Sequence, residues 1–276
     1  IEPDEPLSYG NRASIYEELE DYEKAEADYT KIIELDTLSF ESYTTRGYFY
    51  EEIEKYDKAE ADYIIAHELA PEDPMPLIFQ AFLYNTLEQY DKAEITFTKA
   101  IKLDPKNPKL YQFRALGYFG SHEFIGIDYE VEEYQYAKAL DDLTKAIELD
   151  PKDRGYYYYR FLVYLNLKEF KKALDDCNKT IEMDKKDPGG YYYLAVLYDE
   201  QEKYLQAINM ITIAIMRLSD GNQHVKIGTE MPEITLNFLY LKSGEIYQKM
   251  DKDELMCEDY KKACDLGDCA MFEKHC

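Results

Sequence analysis

The chain has 276 residues, 46% of them hydrophobic, and its 57 aspartates and glutamates outnumber 32 lysines and arginines, for a formal charge of −25 at pH 7. Such a field repels phosphate backbones wherever salt does not screen it, which argues against nucleic acid and favours a basic partner, or simply a solvated acidic surface. No apolar run approaches the roughly 18 to 20 residues of a membrane span, so no membrane insertion is expected of this chain, and no signal peptide is evident.

The first residues, Ile1 to Pro6, have the pattern of Leu103 to Pro108 further on, and there is no initiating Met, so the chain is expected to be cut from something longer. From about Pro6, apolar and small residues recur at helical spacing: Tyr9, Ala13 and Tyr16, then Ala25, Tyr29 and Ile32. Residues 40–73 repeat the pattern around the polar turn Glu54–Lys55, which predicts a helix-turn-helix hairpin with one apolar face per helix. Ala25, Ala59, Ala93, Ala139, Ala173 and Ala207 lie 34, 34, 46, 34 and 34 residues apart, so the hairpin recurs and one copy is enlarged. The predicted units are 6–39, 40–73, 74–107, 108–153 with an insertion at 119–135, 154–187, 188–220 and 237–268. A second insertion, 221–236, shows no periodicity, and 269–276 forms a capping tail. Asp73–Pro74, Asn107–Pro108 and Asp187–Pro188 each put a capping side chain before a proline suited to a first helical turn. All of 1–276 reads as a single array in which each unit buries its face on its neighbours.

The period and the pattern Tyr43-x2-Arg46-Gly47-x2-Tyr50, Ala59-x3-Tyr63-x2-Ala66-x4-Pro71 resemble the tetratricopeptide repeat. The resemblance implies an all-α fold, a right-handed superhelix of about seven hairpins whose concave groove usually binds a peptide or partner protein, and it implies nothing about chemistry. The C-terminal run YKKACDLGDCAMF is similar, more locally, to the ends of Sel1-like relatives.

Counting positions from the start of each unit, helix-A positions 2, 5, 6, 9, 12 and 13 line the groove in this family. Here they supply Ile78, Phe79, Phe82, Phe113, Phe119, Tyr158, Tyr159, Leu162, Leu165, Tyr192, Tyr193 and Val196, an apolar stripe surplus to hairpin packing and expected to meet a partner. The competing expectation is that the insertion at 119–135 folds over it. Glu17, Glu18, Glu41, Glu51 and Glu52 stand at the same positions in the first two units, so the groove grades from acidic to aromatic, and Glu51 and Glu52 would favour Lys or Arg on the ligand. Asn11 occupies one position of the family's clamp for a chaperone's C-terminal carboxylate, but Glu41 and Thr45 replace its cations, so that role is not expected.

Arginine at position 7 (Arg12, Arg46, Arg114, Arg160) accompanies aspartate at position 23 (Asp28, Asp62, Asp142, Asp176), and both are missing together at Gln80/Thr96 and Leu194/Met210; only the seventh unit breaks the rule, with Ser243 against Asp259. An ion pair between the helices of one hairpin follows. His67, His122, His224 and His275 lack a His or Cys partner four residues away, and neither a phosphate loop nor a nucleophile elbow occurs, so no catalytic, metal or cofactor site is expected. Cys257, Cys264, Cys269 and Cys276 crowd the end. If the tail turns at Gly267 and returns antiparallel, Cys264 faces Cys269 and Cys257 faces Cys276, two rungs too far apart to share one metal. Two readings stand: bridged and extracytoplasmic, or reduced and cytoplasmic. The function expected is a non-catalytic interaction scaffold. The alternatives are an architectural spacer of a larger protein, or a catalytic module completed by the missing portion.

Overall fold

The computed structural model describes residues 6–118, 133–219, 224–225 and 234–276. It is all-α apart from one short strand pair, and its helices follow one another in tandem hairpins. Two compact units are distinguished, Ile1–Leu149 and Asp150–Cys276.

In the first unit the helices are α1 (Pro6–Glu18), α2 (Tyr22–Leu35), α3 (Phe40–Glu52), α4 (Tyr56–Leu69), α5 (Met75–Thr86), α6 (Tyr90–Leu103), α7 (Pro108–Gly117) and α8 (Glu133–Leu149). They pair as α1 with α2, α3 with α4, α5 with α6 and α7 with α8, and each hairpin packs on the next. The small-residue positions explain the close crossings. Ala13, Ala25, Ala59 and Ala81 are fully buried, and a Cβ on Gly47 would lie 2.6 Å from the Tyr63 ring. Most of the expected insertion lies outside the described residues; its last three, 133–135, open α8.

The second unit holds α9 (Arg154–Asn166), α10 (Phe170–Met183), α11 (Pro188–Glu200), α12 (Tyr204–Ser219), α13 (Leu236–Lys249), α14 (Asp253–Asp265) and the short α15 (Ala270–His275). Between α12 and α13, β1 (His224–Val225) pairs antiparallel with β2 (Ile234–Thr235), with His224 opposite Thr235. No periodicity in the sequence announces this ladder. Phe161 and Cys177, the large and small residues exchanged relative to other hairpins, are both fully buried.

Helix starts use the expected side chains. Asn107 and Asp187 accept from the backbone N–H of Lys109 and Gly189 at 3.1 Å each, and Asp73 accepts from Met75 at 2.8 Å. Within hairpins, the turn residues Glu20, Glu54, Glu88, Lys168, Glu202 and Asp251 all take the left-handed conformation, with φ between 55° and 58°. The N–H of the next residue then reaches back five positions, as from Lys55 to the Tyr50 carbonyl at 2.7 Å, and closes the helix end.

The arginine–aspartate pattern is an ion pair in four hairpins. Arg12, Arg46, Arg114 and Arg160 each donate Nε and Nη2 to the two carboxylate oxygens of Asp28, Asp62, Asp142 and Asp176, at 2.6 to 2.9 Å. Arg46 and Arg114 also donate Nη1 to Thr30 and Thr98 of the preceding hairpin, which ties one unit of the pattern to the next.

Candidate functional site

In the first unit the groove positions leave part of their aromatic surface accessible. Phe79, Phe82 and Phe113 are half-buried. Phe82 meets Phe97 and Phe113 edge to face, with centroids 5.2 and 5.8 Å apart. Phe79 stacks on Tyr63 at 5.7 Å, and the Tyr63 hydroxyl donates to Glu51. Phe79, Tyr63 and Glu51 are therefore one contact chain, and Phe82 with Phe113 is a second. Burial pushes the Glu51 carboxyl above its ordinary range, as does the charge of Glu52, against the opposing Tyr63 hydrogen bond. Glu52 itself is exposed.

Tyr48, at the same position in its hairpin as Phe82, is 52% exposed and lies one helical turn before Glu52. It belongs to this surface and was missed as a site residue, although the position rule that selected Phe82 also points to it. Its phenol is pushed up by burial first and by Glu52 second.

The second unit requires a correction. Tyr158, Tyr159, Leu162, Tyr192 and Tyr193 were expected on an open stripe, yet none is more than 7% exposed. They are core side chains packed on one another: Tyr158 and Tyr193 lie 4.7 Å apart, and Tyr192 meets Tyr193 at 5.1 Å and Phe238 of α13 at 5.2 Å. The Tyr158 hydroxyl donates to Asp187 at 2.8 Å. Asp187 also receives Arg154 at 2.7 Å, so the phenol ends in a buried polar cluster and not at a surface. Phe119 lies outside the described residues.

At the C-terminal end, Cys257 is bonded to Cys276, with Cα atoms 5.7 Å apart, and Cys264 to Cys269, at 4.0 Å. Both bridges join α14 to the segment carrying α15. Cys177 is a free thiol, and burial pushes it well above its ordinary range. Among the described residues no three His, Cys, Asp or Glu side chains converge as metal ligands, and no helix is long and apolar enough to cross a membrane.

Residues 6–36, 40–73 and 77–107 match models of the tetratricopeptide repeat. The first three hairpins thus match the tetratricopeptide repeat. Among solved structures it is similar to a tetratricopeptide repeat protein from Parabacteroides merdae, at 17% identity over 97% of both chains, with a TM-score of 0.61. It is also similar to pilF of Pseudomonas aeruginosa, at 15% identity over 86% of this chain and 96% of that one, with a TM-score of 0.55. At these identities the likeness concerns the repeat fold alone. No curated protein is significantly similar in sequence. Tetratricopeptide repeats in general mediate protein–protein interaction and are typically non-catalytic.

Proposed function

We propose that the chain is a non-catalytic interaction scaffold whose repeats in 6–118 hold a partner's peptide segment. In this reading apolar or aromatic side chains of the segment lie on Phe79, Phe82 and Phe113, and its Lys or Arg side chains lie towards Glu51 and Glu52. The observation that carries it is the half-exposed aromatic set of α5 and α7, whose member Phe79 is joined through Tyr63 to Glu51. Aromatic surface with an acidic rim supplies area at its centre and steering at its edge. For residues 150–276 the burial of the tyrosine stripe favours the architectural alternative, a spacer whose faces are used up in packing. The likeness of the C-terminal end to Sel1-like proteins rests on the run from Tyr260 to Phe272 and remains part of this proposal.

Peptides selected from a random library on the whole protein should be enriched in basic and apolar residues. They should lose binding to Phe79→Ser/Phe113→Ser while the melting temperature of that variant stays within a few degrees of the parent. Peptides that bind the variant equally well would remove the groove from the account.

A further inference from the structure

Positions 12 and 24 of a hairpin meet across its two helices. In the second hairpin the Tyr63 hydroxyl donates to Glu51, and in the first the corresponding pair is Tyr29 and Glu17. The third keeps a polar group at position 12, Asn85, but has Phe97 at position 24, which carries no hydroxyl. Asn85 is only 3% exposed, and neither its amide nitrogen nor its carbonyl oxygen has a hydrogen-bond partner among the described residues. Burying a carboxamide in this state is unfavourable unless something meets it.

A cavity of about 20 Å³ adjoins the amide, lined also by Glu94, Phe97, Arg114, Gly117 and Tyr118. Gly117 shapes it. Five other hairpins place a fully or almost fully buried apolar side chain at this position, Phe49, Leu83, Val163, Leu197 and Ile246, whereas a Cβ on Gly117 would sit 2.9 Å from Asn85 Nδ2 and 2.6 Å from the Phe97 ring. Of the charged neighbours, Arg114 is engaged by Asp142 and Thr98, Glu94 by Lys138 and Tyr118, and Asp91 is exposed to solvent. The buried group left open is the neutral donor and acceptor of Asn85, beside a space that exceeds the roughly 10–15 Å³ a water needs and leaves no room for a side chain.

We infer that an ordered water resides in this cavity, bonded to Asn85, and takes the structural place that the tyrosine hydroxyl holds in the second hairpin. High-resolution crystal structures of the whole protein, native and pressurised with xenon, test it. The expected result is a full-occupancy water within hydrogen-bond distance of the Asn85 amide and no xenon. In Phe97→Tyr the new hydroxyl should displace the water and bond to Asn85. A dry cavity, xenon in it, or an Asn85 amide bonded to protein atoms in the parent would overturn the inference. So would a Phe97→Tyr structure that keeps the water unchanged; should that variant fail to fold, the parent crystals alone decide.

Discussion

Replacing Asp62 with alanine removes the carboxylate that receives two hydrogen bonds from Arg46, each 2.8 Å long. The arginine side chain is 17% exposed and the aspartate 4%, so the guanidinium left behind cannot recover full hydration. It keeps Thr30 at 3.1 Å and lies within 6 Å of the Tyr43 and Tyr50 rings. Breaking a buried pair from one side costs about 3–5 kcal/mol, and these residual contacts place Asp62→Ala near the lower end, about 3 kcal/mol. Arg46→Ala strands the carboxylate and should cost a similar amount. The double replacement strands nothing, and should fall short of the sum by about 2 kcal/mol, the size seen for residues sharing one network. Urea unfolding of the four proteins, followed by circular dichroism with m-values compared, measures this coupling. Arg12–Asp28 is the internal control, since its hydrogen bonds are equally short but its arginine is largely exposed. Its coupling should be smaller and should fade in salt. A zero coupling between Arg46 and Asp62, or equal couplings in both hairpins, would refute the assignment of the effect to burial.

The Glu26 carboxyl sits against burial that raises it, but Lys58, Lys55 and Tyr50 outweigh that and hold it down at about 2 instead of its ordinary 4.5. A depressed carboxyl stabilises the fold above its unfolded value and loses that contribution as pH falls. The stability difference between the parent and Glu26→Gln should therefore shrink as pH drops from about 4.5 towards 2, and a flat difference would mean the lysines do not engage it. Gly47→Ala sets the gain in helix propensity against a 2.6 Å approach to the Tyr63 ring. Overpacking should win, with a loss of about 1–3 kcal/mol on thermal unfolding, and a more stable variant would show that the ring yields. Non-reducing peptide mapping of native-source protein should recover Cys257 linked to Cys276 and Cys264 to Cys269. The outer bridge should contribute about 3 kcal/mol by restricting the unfolded chain. Recovery of all four thiols freely alkylated would remove both the cap and the extracytoplasmic reading.

The hairpins were legible in the sequence because their signal is local and repeated: the alanine spacing marks each close crossing, and the joint loss of arginine and aspartate at Gln80/Thr96 and Leu194/Met210 marks the ion pair as a unit. Exposure was less legible, because it depends on what neighbouring hairpins bring. Nothing in the spacing of Tyr192 announces Phe238 of α13, and nothing near Tyr158 announces the carboxylate of Asp187. The same position rule therefore picks accessible rings in α5 and α7 and core rings in α9 and α11. The orphaned amide of Asn85 could have been anticipated by setting position 12 against position 24 in each hairpin. The ladder of β1 with β2 could not, since two residues per strand are too few to carry a period.

The tyrosine at position 11 has a further consequence for how the array comes apart. In the first unit its hydroxyl reaches a glutamate of the preceding hairpin, Tyr50 to Glu26, Tyr84 to Glu60 and Tyr118 to Glu94, and lysines join the first and third of these. At the corresponding position α10 and α12 carry Leu174 and Ile208, so the second unit has no such acid there. In a chain of nearest-neighbour couplings, each of these joints in the first unit thus contains a partly exposed carboxylate contact that dissolved salt weakens, whereas the ion pairs between hairpins of the second, Arg154 with Asp187 and Lys242 and Lys249 with Asp199, rest on carboxylates no more than 3% exposed and are screened less. Raising ionic strength should lower cooperativity from the N-terminal side first, so that fraying has a direction set by the solvent and not only by the two ends.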